Sequence, residues 1–80
     1  MIVAAAIKYN GVVYSLPPPA RHNHIILHAI KQGVKPPINR IMGFLISTGE
    51  FIGREEAARI AFQSGQIVSQ IPTLFTEDLW

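Results

Sequence analysis

Apolar positions open the chain almost without a break from Ile2 to Tyr9, with Lys8 the one charge near the end of the run. A short continuous apolar run that stops at a turn signal reads as a buried strand. The turn signal is Asn10-Gly11, a residue pair that tolerates positive φ at both central positions of a tight hairpin. Val12-Val13-Tyr14 is then expected to return as the partner strand. Pro17-Pro18-Pro19 ends the sheet, because proline lacks a donor and holds its predecessor extended. Pro19 also suits the first position of a helix. The spacing predicts a helix over Ala20 to Gln32, with Gly33 just past its end and Lys31 near its negative pole.

A second unit repeats the pattern. Lys35-Pro36-Pro37 reads as a rigid loop and Ile38 to Ile46 as a third strand. Ser47-Thr48-Gly49 is a turn, and Glu50-Phe51-Ile52 returns as a short fourth strand. Gly53 is placed to cap a helix running from Arg54 to about Ser64, closed by Gly65. Glu55 and Glu56 favour the positive start of that helix, and Glu55 is spaced to pair with Arg59 one turn on. The tail, Gln66 to Trp80, is expected to hold a short strand or turn. Phe75, Leu79 and Trp80 are expected to dock on the body or on a second subunit. The fold class is therefore α+β: a small two-layer domain over residues 1–80 with two β-hairpins and two α-helices, approximately ββαββα.

Composition adds a constraint on assembly. The chain has 80 residues, 49% of them hydrophobic and only 15% charged, with no cysteine. A domain this small has a limited core and cannot be stapled by disulfides or Cys-ligated zinc. The apolar surplus points to self-association. The longest apolar run is too short to span a bilayer, which needs about 20 residues. It also lacks the basic start and cleavage site of a signal peptide. A soluble, intracellular protein is expected. The net charge of +2 suits a small anion better than the phosphate track of a duplex, where several basic contacts are normal.

Candidate chemistry concentrates in Ser15 to Ile30, "SLPPPARHNHIILHAI". On a helix, Ile25, Ile26, Ala29 and Ile30 share the core side, with Leu27 at its border. Arg21, His24, His28 and Lys31 fall on a separate stripe, and His22 falls among the apolar positions. His24 and His28 have the i, i+4 spacing of helix-borne zinc ligands. However, Arg21 and Lys31 flank them with repulsive charge, there is no glutamate between them, and no third ligand is evident. No metal and no cofactor is expected. The remaining readings of the stripe are a solvated polar face and an anion grip. For the grip, the helix start offers unpaired N–H groups and a positive dipole end, and Arg21 offers a bidentate fork. His22 is either a core histidine or a pocket wall. Arg54 stands at the start of the second helix, where a cation is unfavourable unless it meets an anion. Phe44 is either core or a stacking platform for a base.

The segments "LPPPARHNHI", "GFLISTGEFIGREEAARIA", "SGQI" and "LFTEDLW" resemble small phage-encoded proteins, among them the first-described family of Thoeris anti-defence sponges. The resemblance implies a non-enzymatic protein in the host bacterial cytoplasm. It would sequester cyclic ADP-ribose isomers, and in some members cyclic oligonucleotides, as a dimer or hexamer with pockets at subunit interfaces. This chain is compact for such a family, which puts pockets built by longer members' extra segments in doubt. On that reading Arg21, Arg54 and Arg40 would hold a pyrophosphate. Phe44 and His22 would contact adenine, and Asn23 would read a base edge or ribose hydroxyl. Two other classes stay open. One is a phosphodiesterase using His24 or His22 as general base, poorly supported because four of the five acids lie in two adjacent pairs, Glu55-Glu56 and Glu77-Asp78. The other is an inhibitor that masks a host protein surface, with "TEDLW" as its handle.

Overall fold

A computed structural model describes residues 1–35 and 41–80. Strands β1 (Ile2–Tyr9) and β2 (Val12–Leu16) form the first hairpin, followed by helix α1 (His22–Lys31). Strands β3 (Ile41–Ile46) and β4 (Phe51–Gly53) form the second, followed by α2 (Arg54–Gln63) and a single 3₁₀ turn at Thr76–Asp78. The element order is the expected ββαββα. All four strands join one antiparallel sheet in the order β2-β1-β3-β4. The two hairpins therefore meet through β1 and β3, with a register shift between Ile2 and Ala4.

Local sequence explains most boundaries. Asn10 and Gly11 adopt φ of 50° and 76°, the left-handed pair that a tight hairpin turn requires. α1 ends in a Schellman motif: the Val34 N–H donates to the Ala29 carbonyl at 3.1 Å, and the Gly33 N–H donates to the Ile30 carbonyl at 3.0 Å. Gly33 sits at φ 104°, a backbone conformation that residues with a side chain rarely adopt. α2 closes in the same way, with Gln66 bonded back to Ala61. Its cap is Gly53 and its first turn carries Glu55 and Glu56, as expected. Arg59, however, pairs with Glu56 at 3.2 Å rather than with Glu55.

Two boundaries move. β2 continues through Ser15 and Leu16, because both still pair with β1, opposite Ala6 and Ala5. α1 begins at His22, not Ala20. Pro17 to Ala20 are used up in a turn closed by the Ala20 N–H on the Pro17 carbonyl at 3.2 Å, and Arg21 is extended, with φ −109° and ψ 172°. Pro19 is thus outside the helix, and the Pro18–Pro19 peptide is cis. The first residues expected in the third strand, Ile38 to Arg40, and the Pro36-Pro37 loop lie outside the described residues.

Both helices cover the same side of the sheet. Ala5, Ile7, Phe44 and Ile52 project to that side and meet Ile25 and Ala29 of α1 and Ala57, Ala58 and Ala61 of α2. The alanines let α2 lie close, so a few large side chains fill the centre: Phe44, Ile7, Ile25 and Leu74. Leu74 comes from the tail, whose N–H bonds the Arg54 carbonyl at 3.1 Å. Gln66 ties the other end of the tail to the sheet. Its amide accepts from the Ile2 N–H at 2.7 Å and donates to the Ile2 carbonyl at 2.9 Å, so a side chain does the work of a neighbouring strand.

The opposite side of the sheet carries the alternate residues. In its middle, Gly43 lies against Gly53 of β4, and the Phe51 ring lies over it. A Cβ at Gly43 would meet the Ile52 carbonyl oxygen and stand 2.7 Å from the Phe51 ring. Gly43→Ala is expected to force β3 and β4 apart and to lower stability by about 1–3 kcal/mol, the usual cost of overpacking, measured as a drop in urea midpoint at unchanged m-value. An unchanged midpoint would contradict this account of the β3–β4 contact.

Candidate functional site

The starts of both helices lie on the same side of the sheet and open onto one cleft of about 320 Å³. α1 contributes its cap Arg21 and its first two residues, His22 and Asn23, and α2 contributes its first residue, Arg54. Met42 of β3 lines the cleft floor, and Phe75, Thr76 and Glu77 of the tail close it. Four of the residues singled out from sequence are therefore brought together. Two larger cavities, of about 370 and 350 Å³, flank the loop after α2, and each is lined by a single charged residue, Asp78 or Arg59. The charged and ring-bearing groups cluster in the smaller cleft, and chemistry outweighs volume as a guide to a site.

His22 is fixed in place by the sheet. Its Nε2 lies 2.8 Å from the Gly43 carbonyl oxygen, so it carries the proton and donates. Its ring meets Phe44 edge to face, centroids 5.2 Å apart and planes at 75°. The alternatives of core or wall resolve into both: half-buried, anchored below and lining the cleft above. Phe44 is completely buried. It supports His22 from beneath and has no surface left for a base, which corrects its expected role as a platform. Arg40 falls outside the described residues.

Arg21 is the cap of α1 rather than a member of its first turn. A helix cap normally accepts bonds with its side chain, which a guanidinium cannot do. The local solution runs the other way: the Arg21 N–H donates to His24 Nδ1, three residues on, at 2.9 Å. His24 fills the place that Glu or Gln takes in a capping box. It therefore belongs to the architecture of the helix start rather than to an open histidine pair with His28. Among the described residues no group of three or more His, Cys, Asp or Glu is arranged to hold a metal ion.

The Arg21 side chain is left to reach across the molecule. Its Nη2 donates to the Trp80 carbonyl oxygen at 2.9 Å, and Nη1 lies 3.8 Å from Glu77 Oε1. The Trp80 indole N–H donates in turn to the Ala20 carbonyl at 3.0 Å. The Glu77 pair is long and solvated, with side chains 44% and 63% exposed. Such pairs contribute about 0–1 kcal/mol, so an incoming anion competes with a weak partner. Arg54 lies over the Phe75 ring, 5.2 Å from its centroid. This cation–π contact holds the guanidinium at the cleft wall. Two arginines and one glutamate give the lining a net charge of +1, reinforced by the positive ends of two helices.

Sequence reasoning missed the tail's part in this cleft. It expected the terminal apolar residues to dock, and Leu79 and Trp80 do pack on the core. Leu74 and Thr76 are the buried anchors, while Phe75 stays 47% exposed beside Arg54. No spacing signal in "LFTEDLW" separates these roles, since the contacts span 20 to 60 positions along the chain.

These features define a small ββαββα protein with a basic cleft between two helix starts. The family model described as phage T4 y16D protein matches residues 1–80, and the chain belongs to that family. It is a phage protein. No curated protein and no solved structure matches it. Among the described residues no helix is long and apolar enough to cross a membrane.

The placement separates core from cleft in a measurable way. Phe44→Ala is expected to cost about 3–5 kcal/mol of folding stability. Asn23→Ala, exposed at the cleft rim, is expected to stay within about 0.5 kcal/mol of wild type. Denaturant unfolding of the two variants checks this, and a mild Phe44→Ala would contradict the assignment of Phe44 to the core.

Proposed function

We propose that this phage protein is a sponge. It binds a small cyclic nucleotide signal of the cyclic ADP-ribose class, made by the host bacterium's immune system, and holds it in the host cytoplasm without cleaving it. The observation that carries the reading is the convergence of Arg21, His22, Asn23 and Arg54 on one cleft. A pyrophosphate needs forked cations and helix-start N–H groups, and both arginines stand at helix starts. A purine needs an apolar or aromatic face, which the half-exposed Phe75 ring offers in place of Phe44. Asn23 supplies donor and acceptor for a base edge or a ribose hydroxyl.

The non-enzymatic half of the proposal is supported by what the histidines do. His22 Nε2 donates to the Gly43 carbonyl and His24 Nδ1 accepts from the Arg21 N–H. The His24 lone pair is spent on that bond, which makes this ring a poor general base. A cleft of about 320 Å³ is at the small end for a nucleotide, which favours a homo-oligomer in which a neighbouring copy completes the enclosure.

Calorimetric titration with cyclic ADP-ribose isomers and cyclic oligonucleotides tests the proposal. Arg21→Ala and Arg54→Ala are each expected to weaken binding about 10- to 100-fold, the loss of one charge-assisted contact of about 1.5–3 kcal/mol. Heating the complex is expected to release the ligand intact, as judged by mass. A hydrolysed product would refute the sponge. Absence of binding by every cyclic nucleotide tried, together with nucleotide-independent capture of a host protein, would replace it with a direct protein inhibitor.

A further inference from the structure

The basic cleft contains a carboxylate. Glu77 lines it together with Arg21 and Arg54, and a negative charge in that place works against any anionic ligand. Stability does not account for it. The Arg21–Glu77 separation is 3.8 Å and both side chains are exposed, so the pair holds the fold only weakly.

The two acids of the tail are used differently. Asp78 turns back to accept from the Phe75 N–H at 2.9 Å and lines a different cavity, so it belongs to the 3₁₀ turn. Glu77 Oε1 instead accepts from the Thr76 hydroxyl at 3.2 Å, and the same oxygen faces Arg21 Nη1. Thr76 is buried. Its hydroxyl is therefore a fixed donor that keeps one carboxylate oxygen on the Arg21 side. The two arginines are made unequal. Among the described residues no carboxylate pairs with Arg54, whose guanidinium lies over the Phe75 ring. Arg21 meets a ligand with Glu77 already beside it.

We propose that Glu77 is a selectivity residue: it admits ligands whose phosphates are all bridging and disfavours those that end in a terminal phosphate. The inference rests on the nucleotide reading of the cleft and names what that site rejects. A bridging phosphate has a single acidic proton and carries one charge. A terminal phosphate carries close to two at pH 7, because its second proton leaves at a pKa of about 6. A pyrophosphate closed into a ring thus brings about two charges to two arginines, whereas ADP, built on the same adenosine and pyrophosphate, brings about three. The surplus charge of ADP lies on its outermost oxygens. For Arg21 to hold those oxygens, they must approach the Glu77 carboxylate, and like charges at such separations repel even in a solvated cleft. Specificity is a difference of affinities, and a repulsive element against the competitor supplies it without a new contact to the preferred ligand.

Calorimetric titration with cyclic ADP-ribose isomers and with ADP tests the proposal on wild type and three variants. Wild type is expected to favour a cyclic isomer over ADP at least about tenfold. Glu77→Gln changes an exposed side chain, so the fold should survive, as a far-UV circular dichroism spectrum will report. It is expected to raise affinity for both ligands, about twofold for the cyclic isomer and about tenfold for ADP, so the preference shrinks about fivefold. Glu77→Asp keeps the charge and is expected to keep most of the preference. Glu50→Gln removes the same unit of charge from the turn at the end of β3 remote from Met42, and is expected to leave the preference unchanged. A preference that Glu77→Gln leaves as in wild type would overturn the proposal. So would a Glu50→Gln variant that shrinks it as much. In both cases binding of the cyclic isomer persists, and with it the sponge. Failure of wild type and Glu77→Gln alike to bind any cyclic isomer would instead remove the nucleotide reading, and this inference with it.

Discussion

The hydrogen bond from His22 to the Gly43 carbonyl, 2.8 Å long, sets the position of almost everything else around the cleft. Gly43 lies in the middle of β3, paired to β1 on one side and β4 on the other. A backbone carbonyl in a central strand is as rigid a reference point as a small domain possesses. By binding it, the first residue of α1 fixes where that helix starts. Phe44, the next residue of β3, completes the joint by packing its ring edge to face against His22. Arg21 and Asn23 flank His22 in sequence, so their positions follow. Because β3 leads through β4 directly into α2, Arg54 is placed from the same strand pair. Two arginines 33 positions apart are thereby referred to one structural joint.

That joint also shows what could be read from the sequence and what could not. Features with local causes were legible. Asn10-Gly11 gave its hairpin, Gly33 and Gly65 closed their helices, and Gly53 with Glu55 and Glu56 started α2, because each rests on dihedral preference or on contacts within one turn. Arg21 and Arg54 were singled out for the chemistry expected at helix starts, while His22 was open between core and pocket wall and Asn23 entered only as a contact in the ligand-binding reading; all four line one cleft. The start of α1 was misplaced by two residues for a specific reason. Proline is favoured at a first helical position, but Pro17 to Ala20 close their own turn. The cap that operates uses His24 as an acceptor in a place where Glu or Gln is the recognised signal.

The ambiguities at Phe44 and His22 had another source. Which side of a sheet a strand residue faces depends on register and on which side the helices choose. Neither is encoded within the strand. The same holds for the tail. Leu74 is buried and its neighbour Phe75 is not, a difference produced by the Leu74 bond to the Arg54 carbonyl and by the 3₁₀ turn that follows. Arg21 and Trp80, 59 positions apart, meet because the tail crosses from the start of α2 to the start of α1.

The small core explains why the tail is recruited. The buried positions on α2 are all alanines, and Ala5 of β1 faces the same side. Alanine brings backbones close but removes little apolar surface from water, so each large buried side chain counts for more; burying a Leu or Phe contributes about 1.5–3 kcal/mol. Leu74 supplies one such side chain from outside the ββαββα frame, and Trp80 adds a partly buried ring. A chain that must use its tail for stability also gains a fixed third wall between the helix starts, carrying Phe75 beside Arg54 and Glu77 beside Arg21. On the other side of the sheet the Phe51 ring lies across Gly43, and Ala4 and Ala6 are buried as well. Small residues thus let one ring lie close on either side of the sheet, Phe44 among the alanines of α2 and Phe51 over Gly43.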